Sequence, residues 1–323
     1  MIQSSYPLLY YRLITTKKMD TIDLDARFPV TVIGRTDYPD TLAHMKGPPR
    51  KLYLRGKFPA PEDHKYLCVI GSRTWSVYGR DTVFSLVSGL KGYPISIVSG
   101  LAIGIDSFSH MAALQAGLHC VAFPGSTLEW RQIYPRAHLN LAQAILTGGG
   151  AVMSPWMIGY HTDKWAFPAR NRLMAGLADA VLIVEAARGS GSLMTARYAE
   201  DFGREVLAVP GWIGSEQSYG PHMLLRSGAG LVSCAADLLE FLGFKRPQAS
   251  EIHAAKLSDL DPVSRSIMTM VSRERVTADL LVSRLDLSAG EVSIKLSLLE
   301  LKGLIKIEGG IVLPDMNKGH TVE

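Results

Sequence analysis

Phe167-Pro168-Ala169-Arg170-Asn171-Arg172 is followed, a few residues on, by the apolar run Ala180-Val181-Leu182-Ile183-Val184-Glu185. The first piece is a proline-led, doubly cationic helix start, and the second is a strand that ends on a carboxylate. Upstream, Val69-Ile70-Gly71-Ser72-Arg73 and Val98-Ser99-Gly100-Leu101-Ala102-Ile103-Gly104-Ile105-Asp106 repeat the theme. In each case a β-branched run gives way to small residues and a polar or charged group. That pattern sets backbone N–H groups and guanidinium forks where the strands of an open α/β sheet end, and it suits phosphate.

Working outward, residues 66 to 235 alternate strand-like and helix-like patterns, which predicts a mostly parallel sheet covered by helices. Strands are expected at Tyr66–Ile70, Ile95–Val98, His119–Phe123, Ala151–Met153, Ala180–Val184, Glu205–Ala208 and near Gly230–Val232. Helices are expected at Tyr78–Gly89, Ser107–Ala116, Pro135–Thr147, Arg170–Gly176 and Ser192–Phe202, from apolar residues three and four apart. Residues 1–64 read as a short lead-in: one or two helices up to about residue 37, then turn chemistry and one short strand. The expected divisions are this lead-in, a Rossmann-like domain over 65–243 and a linker over 244–257, with Lys245-Arg246-Pro247 breaking the pattern. Three short helices (Pro262–Ser272, Thr277–Leu285, Ala289–Lys302) and a hairpin around Gly309-Gly310 make 258–314 a small winged-helix domain. Residues 315–323 form a tail.

Composition sets bounds. The 323 residues are 47% hydrophobic and 20% charged, so the chain can bury a sizeable core and is not a disordered one. A net charge of +4 permits nucleic-acid binding without arguing for it. Cys68, Cys120 and Cys234 are widely spaced and read as buried small hydrophobes in a reducing compartment, with no zinc pattern. No apolar run reaches the roughly 18 residues of a membrane span. No basic segment followed by an apolar core opens the chain, so a cytoplasmic protein is expected, with no metal, cofactor or membrane partner.

Each motif has a plainer reading beside the functional one. Gly71-Ser72-Arg73 is either a phosphate grip or a strand-to-helix turn with a surface arginine. Asp106 and His110 lie four apart on one helix face, which fits acid–base chemistry or, more simply, a capping Asp and a His hydrogen-bonded within the fold. Arg136, near Arg131 and His138, adds a cationic edge to the loop that begins Pro124-Gly125-Ser126. Two arginines at a helix start oppose the helix dipole, so Arg170 and Arg172 call for an anion. Phe167 offers core packing or a face on which a base stacks. In the C-terminal domain, seven Lys or Arg face eight Asp or Glu between Ser258 and Leu313. Its third helix carries Glu291 and Glu300 beside Lys295 and Lys302, so a protein-facing or auxiliary role fits better than sequence reading of DNA.

Taken in order, these motifs resemble the DNA-processing protein A family (DprA, also called Smf). The resemblance runs over about residues 38 to 235. It is carried by Gly71-Ser72-Arg73, Ser99-Gly100-Leu101-Ala102, Gly104-Ile105-Asp106, Tyr134-Pro135, Phe167–Arg172, Ser190-Gly191-Ser192 and Val209-Pro210-Gly211. It implies an extended Rossmann-like domain that binds single-stranded DNA without sequence preference, forms a homodimer and loads the RecA recombinase onto incoming strands in natural transformation, with no catalysis. Carried over by position, Arg73, Arg170 and Arg172 would hold phosphates, with Gly71, Ser72 and Asn171 shaping the pocket and Arg136 and Lys164 adding edge contacts. Two departures stand out: Ser154-Pro155 replaces the family's Ser-Glu, and His222 stands where an asparagine is usual. The alternative is a nucleotide-processing enzyme of the phosphoribohydrolase type, for which Pro124-Gly125-Ser126-Thr127-Leu128-Glu129 is a loose match with too few glycines.

Overall fold

The computed structural model describes residues 21–59, 64–245, 260–301 and 304–314. The expected helical segment before Thr21, most of the linker and the tail after Pro314 lie outside them. The elements of the first unit are α1 (Thr21–Arg27), β1 (Thr31–Gly34), α2 (Asp40–Ala43), β2 (Lys51–Gly56), β3 (Lys65–Ile70), α3 (Val77–Ser88), β4 (Ile95–Ser99) and α4 (Ile105–Ala116). They continue with β5 (His119–Ala122), α5 (Leu139–Thr147), β6 (Ala151–Ser154), α6 (Ala166–Leu177), β7 (Ala180–Ile183), α7 (Gly191–Asp201), β8 (Glu205–Ala208), α8 (Tyr219–Arg226), β9 (Gly230–Leu231) and α9 (Ala235–Phe241).

The nine strands run in the order β1-β2-β6-β5-β4-β3-β7-β8-β9. From β6 to β9 every pairing is parallel, whereas β2 pairs antiparallel with β6, and β1 with β2. The strands read as continuous apolar runs because both faces are covered. Along β3, Leu67 and Val69 enter one core with α3 and α4, while Tyr66, Cys68 and Ile70 enter the other with α6 and α7. Chain order moves outward from β3 through β4, β5 and β6 on one side and from β7 through β8 and β9 on the other. The carboxyl ends of β3 and β7 therefore flank the topological switch point, where α/β sheets receive ligands.

The lead-in is part of this sheet. The sequence offered helices before residue 37, yet Thr31–Gly34 is a strand, held by its ladder to Lys51–Leu54. A four-residue segment has too little pattern of its own to announce that pairing. Arg55 on β2 fastens the lead-in from inside. It is 2% exposed, donates from Nε to the Leu128 carbonyl at 3.0 Å, pairs with Asp25 at 2.6 Å and lies 4.6 Å from the Trp130 ring centroid. Helices α8 and α9 went unread because Gly220-Pro221 masks one and the other is only seven residues long. Cys68 and Cys120 are buried as expected, whereas Cys234, at the N-cap of α9, is exposed.

The second unit holds α10 (Pro262–Arg273), β10 (Val276–Thr277), α11 (Ala278–Leu285), α12 (Ala289–Leu301), β11 (Ile305–Glu308) and β12 (Ile311–Pro314). The three strands order as β10-β12-β11, the wing of a winged helix, over a core that includes Ile267, Leu281, Leu296 and Val312. Asp261 caps α10 through the Ser264 N–H at 3.2 Å, with Pro262 at the position where a missing N–H costs nothing. On α12, Glu291 accepts from Ser288 and Lys295 pairs with Asp261 at 3.0 Å, while Ile294, Leu298 and Leu301 are exposed. Among the described residues this helix presents no basic stripe.

At the amino ends of the central strands, His64, Ser96 and His119 form a relay. His119 Nε2 donates to the Lys57 carbonyl at 3.0 Å, so its Nδ1 accepts from the Ser96 hydroxyl at 2.6 Å. The Ser96 oxygen in turn accepts from His64 Nε2 at 2.7 Å. Burial, reinforced by neighbouring His119, pushes His64 down to about 4, and burial also lowers His119. His110, expected to be hydrogen-bonded, is wholly buried, and the Ser99 carbonyl lies near its ring but outside good hydrogen-bond geometry. Burial outweighs the pull of the Ser99 carbonyl and takes it down to about 3. All three are favoured neutral in the native state. Between the ordinary histidine value near 6.5 and about 4, the unfolded chain thus binds more protons than the folded one, and stability falls as pH falls. Urea midpoints at pH 7 and pH 4.5 should show this loss, and a His64→Gln, His119→Gln variant should show a shallower one. A slope unchanged by both substitutions would remove the relay from the explanation.

Candidate functional site

Loops from the carboxyl ends of β3, β4 and β5 meet the start of α6 around a small hollow of ≈ 30 Å³. Arg73, Gly100, Ala102, Ile103, Tyr134 and Phe167 are among its walls, and Arg170 forms its floor. The space takes one water-sized group, such as a phosphate oxygen.

Phe167 is the centre of the arrangement. Helix α6 begins at Ala166, earlier than the sequence suggested, because Pro168 is tolerated within the first turn. This brings the Phe167 ring over Gly125, where a side chain would collide with it. Tyr134 approaches it with ring centroids 5.8 Å apart at 63°, and the Arg73 guanidinium carbon lies 5.2 Å from its centroid. Tyr134 and Ile103 remain half exposed. Arg73 is exposed and, among the described residues, has neither an anionic partner nor a hydrogen-bond acceptor. A solvent-facing guanidinium laid on an aromatic ring is a combination that grips a phosphate and offers a stacking edge to the neighbouring base.

Arg170 does a different job. It is 3% exposed, and Nη1 donates to the carbonyls of Gly100 and Phe123, while Nε donates to Asn171 Oδ1 at 3.0 Å. Asp106 lies beside it, and a side chain at Gly100 would strike both. Burial pushes the Asp106 carboxyl up, against the Arg170 charge and N–H donation from Ala102 and Gly71. Asp106 therefore does not cap α4, whose N-cap is Gly104. It occupies with its own carboxylate the backbone amides expected to meet an outside anion. Gly104 itself has φ of 92°, and a Cβ there would run into the Ser72 carbonyl, so glycine fixes how closely the β3 and β4 loops approach.

The remaining sequence candidates are dispersed. Gly71 packs against Ile105 and the Glu185 carbonyl, and the Ser72 hydroxyl closes a turn with Thr74. Asn171 orients Arg170 and reaches the Gly191 carbonyl at 3.4 Å. Arg172, two positions beyond Arg170 and so about 200° around the helix, donates to the carbonyls of Lys46 and Gly47 and lies over Phe202. The two arginines do not form a pair. Arg136 donates to the Trp130 carbonyl, and Lys164 is exposed just before α6. Glu129 lies outside the hollow, and the Thr127 hydroxyl is bonded to Gln132 at 2.8 Å, so the hydrolase-like loop does not converge on the site. Tyr134, quoted within a motif but not as a site residue, is a wall of the cleft. Its place beside Pro135, just ahead of a helix, was the available signal.

Comparison with known proteins identifies the family. The family model for DNA recombination-mediator protein A matches residues 29–243, and that for the DprA winged helix domain matches 251–310. The chain is 37% identical to protein Smf of Escherichia coli over 298 residues, covering 90% of this chain and 76% of that one. It is 38% identical to the DNA processing protein DprA of Streptococcus pneumoniae over 213 residues, 66% of this chain and 74% of that one. The X-ray structure of DNA processing protein A from Streptococcus pneumoniae superposes with a TM-score of 0.59 at 36% identity, covering 69% of this chain and 78% of that one. The structure describing the single-stranded DNA binding mode of the Helicobacter pylori protein gives 0.58 at 26% identity, over 67% and 96%. With family models matched over both the parallel-sheet domain and the winged helix, and a relative at 37% identity over most of the chain, the chain belongs to the DNA recombination-mediator protein A (DprA/Smf) family.

Proposed function

We propose that this protein binds single-stranded DNA at the Arg73–Phe167 cleft, without sequence readout by the winged helix, and passes the strand to a RecA-type recombinase. The observation that carries the reading is the exposed Arg73 guanidinium, free of protein acceptors among the described residues and resting on Phe167 beside Tyr134. A phosphate replaces solvent there without breaking a protein contact. Release of counterions then supplies affinity, and the aromatic faces favour unpaired bases over a closed duplex. The recombination-mediator family description supports delivery to a recombinase, and the same reading has the protein act in natural transformation, in the cytoplasm and as a homodimer. In this reading the cleft binds and releases without a chemical step: among the described residues no carboxylate lines the hollow, and nearby Asp106 is held against Arg170 and the backbone. Recombinase filament assembly on a single strand, followed with and without this protein, tests the delivery step.

The two central arginines should separate cleanly. Arg73→Ala should keep the fold, weaken binding of a fluorescent single strand about tenfold and lower the salt slope by about one. Phe167→Ala should weaken it to a similar extent through lost stacking. Unchanged affinity in both would place the DNA path elsewhere. Arg170→Ala should instead lower the urea midpoint, because it strands buried Asp106 and two carbonyls. Removing one partner of a buried charge pair costs about 3–5 kcal/mol in general. A variant as stable as the parent would show that Arg170 is not the structural tie described above.

A further inference from the structure

The connection from β6 to α6, residues 155–165, carries an aromatic cluster that the cleft does not use. Trp165 stands at the N-cap of α6, two residues before Phe167. Its ring meets Trp156 at a centroid distance of 5.5 Å and 82°, and Tyr160 at 6.2 Å and 89°. Trp156 is buried and supplies the inner packing of the loop. Trp165 is 49% exposed and Tyr160 46%, and Met157 and Ile158 beside them are exposed too. So much apolar surface left in water on one short loop marks a place where a partner docks.

The cluster is tied to the cleft. The Tyr134 N–H donates to Ser126 Oγ at 3.2 Å, the Ser154 hydroxyl to the Ser126 carbonyl at 2.9 Å, and the Trp156 N–H to Ser154 Oγ at 3.1 Å. One chain of bonds thus runs from a wall of the hollow to the root of the cluster. At the other end the Ala166 and Phe167 N–H groups donate to the Asp163 and Lys164 carbonyls and close the turn into α6. An indole set between perpendicular neighbours is oriented before a ligand arrives, so stacking on it loses little freedom.

The charges around the rings select the occupant. Lys164 is exposed next to Trp165, with no side-chain partner among the described residues. The Asp163 carboxylate beside it accepts the Lys164 N–H at 2.6 Å and so serves the turn. The loop begins at Pro155, where the family usually has a glutamate, which removes an anion from its root. The other flank of the cleft is charged the wrong way for a strand. A concavity of ≈ 480 Å³ there, walled by Tyr78, Trp212 and serines, has no lysine or arginine and holds Glu185, which accepts from the Ser76 N–H at 3.0 Å. A strand leaving the cleft therefore meets a cation and open aromatic rings toward β6, but a carboxylate toward β7.

We propose that Trp165, with Tyr160 beside it, is a second stacking platform for the bound single strand, taking a base adjacent to the cleft while Lys164 takes the phosphate between. The inference rests on the DNA reading above and extends the strand's path toward β6. Phe167 and Trp165 diverge by about 200° around the start of α6, so the strand bends across the amino end of that helix. Every base has a π-face, so the platform adds affinity without sequence preference.

The test compares an oligothymidylate with an abasic strand of the same length and charge, at fixed salt. Trp165→Ala should weaken the thymidylate about tenfold through lost stacking and leave the abasic strand unchanged. Trp165→Phe should restore part of the loss, Tyr160→Ala should give a smaller one, and the salt slope should not move. An oligocytidylate should lose as much as the thymidylate. Arg73→Ala, by contrast, should weaken both the thymidylate and the abasic strand. Equal losses for those two strands in Trp165→Ala would show that the indole only props the cleft. That outcome, or unchanged binding of both, would overturn the platform and leave the DNA reading standing. If the parent binds no strand, the DNA reading fails and the platform with it. Self-association of the parent that is lost in Trp165→Ala while strand binding holds would overturn the proposal in favour of a second copy on this patch.

Discussion

A guanidinium almost wholly buried organises the carboxyl edge of the sheet. Arg170 ties the end of β4 at Gly100 to the end of β5 at Phe123, with Asp106 of α4 against it. A charge so deeply buried persists because Nη1 meets two backbone carbonyls, Nε meets the Asn171 amide oxygen, and the Asp106 carboxylate offsets the charge. Without that tie, three strand-end loops would have no common anchor, and the hollow above Arg170 would have no floor. Positioning of Phe167, three residues earlier on the same helix, follows from it.

That arrangement divides labour between cations that look alike in sequence. Arg55 and Arg170 are inside and satisfied by carbonyls, and Arg172 and Arg136 are tethered to carbonyls at the surface. Arg73 differs in resting on an aromatic ring alone. An arginine that already donates to the backbone must give up those bonds to take a phosphate, and a guanidinium–carbonyl bond is worth about 1.5–3 kcal/mol. Arg73 keeps its cation–π contact, worth about 0.5–1 kcal/mol, and gives up no hydrogen bond. Of these five arginines, the one poised for an anion is the one with no hydrogen bond to the protein.

The parallel core was legible because strands covered on both faces must be apolar throughout, as in Tyr66–Ile70 and Ala180–Val184. The winged helix was legible from its three amphipathic segments and the Gly309-Gly310 turn. The antiparallel lead-in was not, since Thr31–Gly34 is defined by its partner and not by its own pattern. At the site, Phe167-Pro168-Ala169-Arg170-Asn171-Arg172 marked the right segment, but residue type alone assigned both arginines to phosphate. Helix geometry keeps the two out of one hollow, because side chains two apart diverge by about 200°. The sense of Gly71 and Gly104 was likewise half visible: the glycines signalled close approach, but the anion their loops enclose is Asp106.

Charge placement also explains why one sheet edge has two concavities of opposite character. On the β4 side of β3 the loops bring Arg73 and the aromatic pair Tyr134 and Phe167. On the β7 side they bring Glu185, hydroxyls and Trp212. The β3–α3 connection separates the two, so one turn, Gly71 to Ser76, presents a cation to one concavity and a cap for a carboxylate to the other.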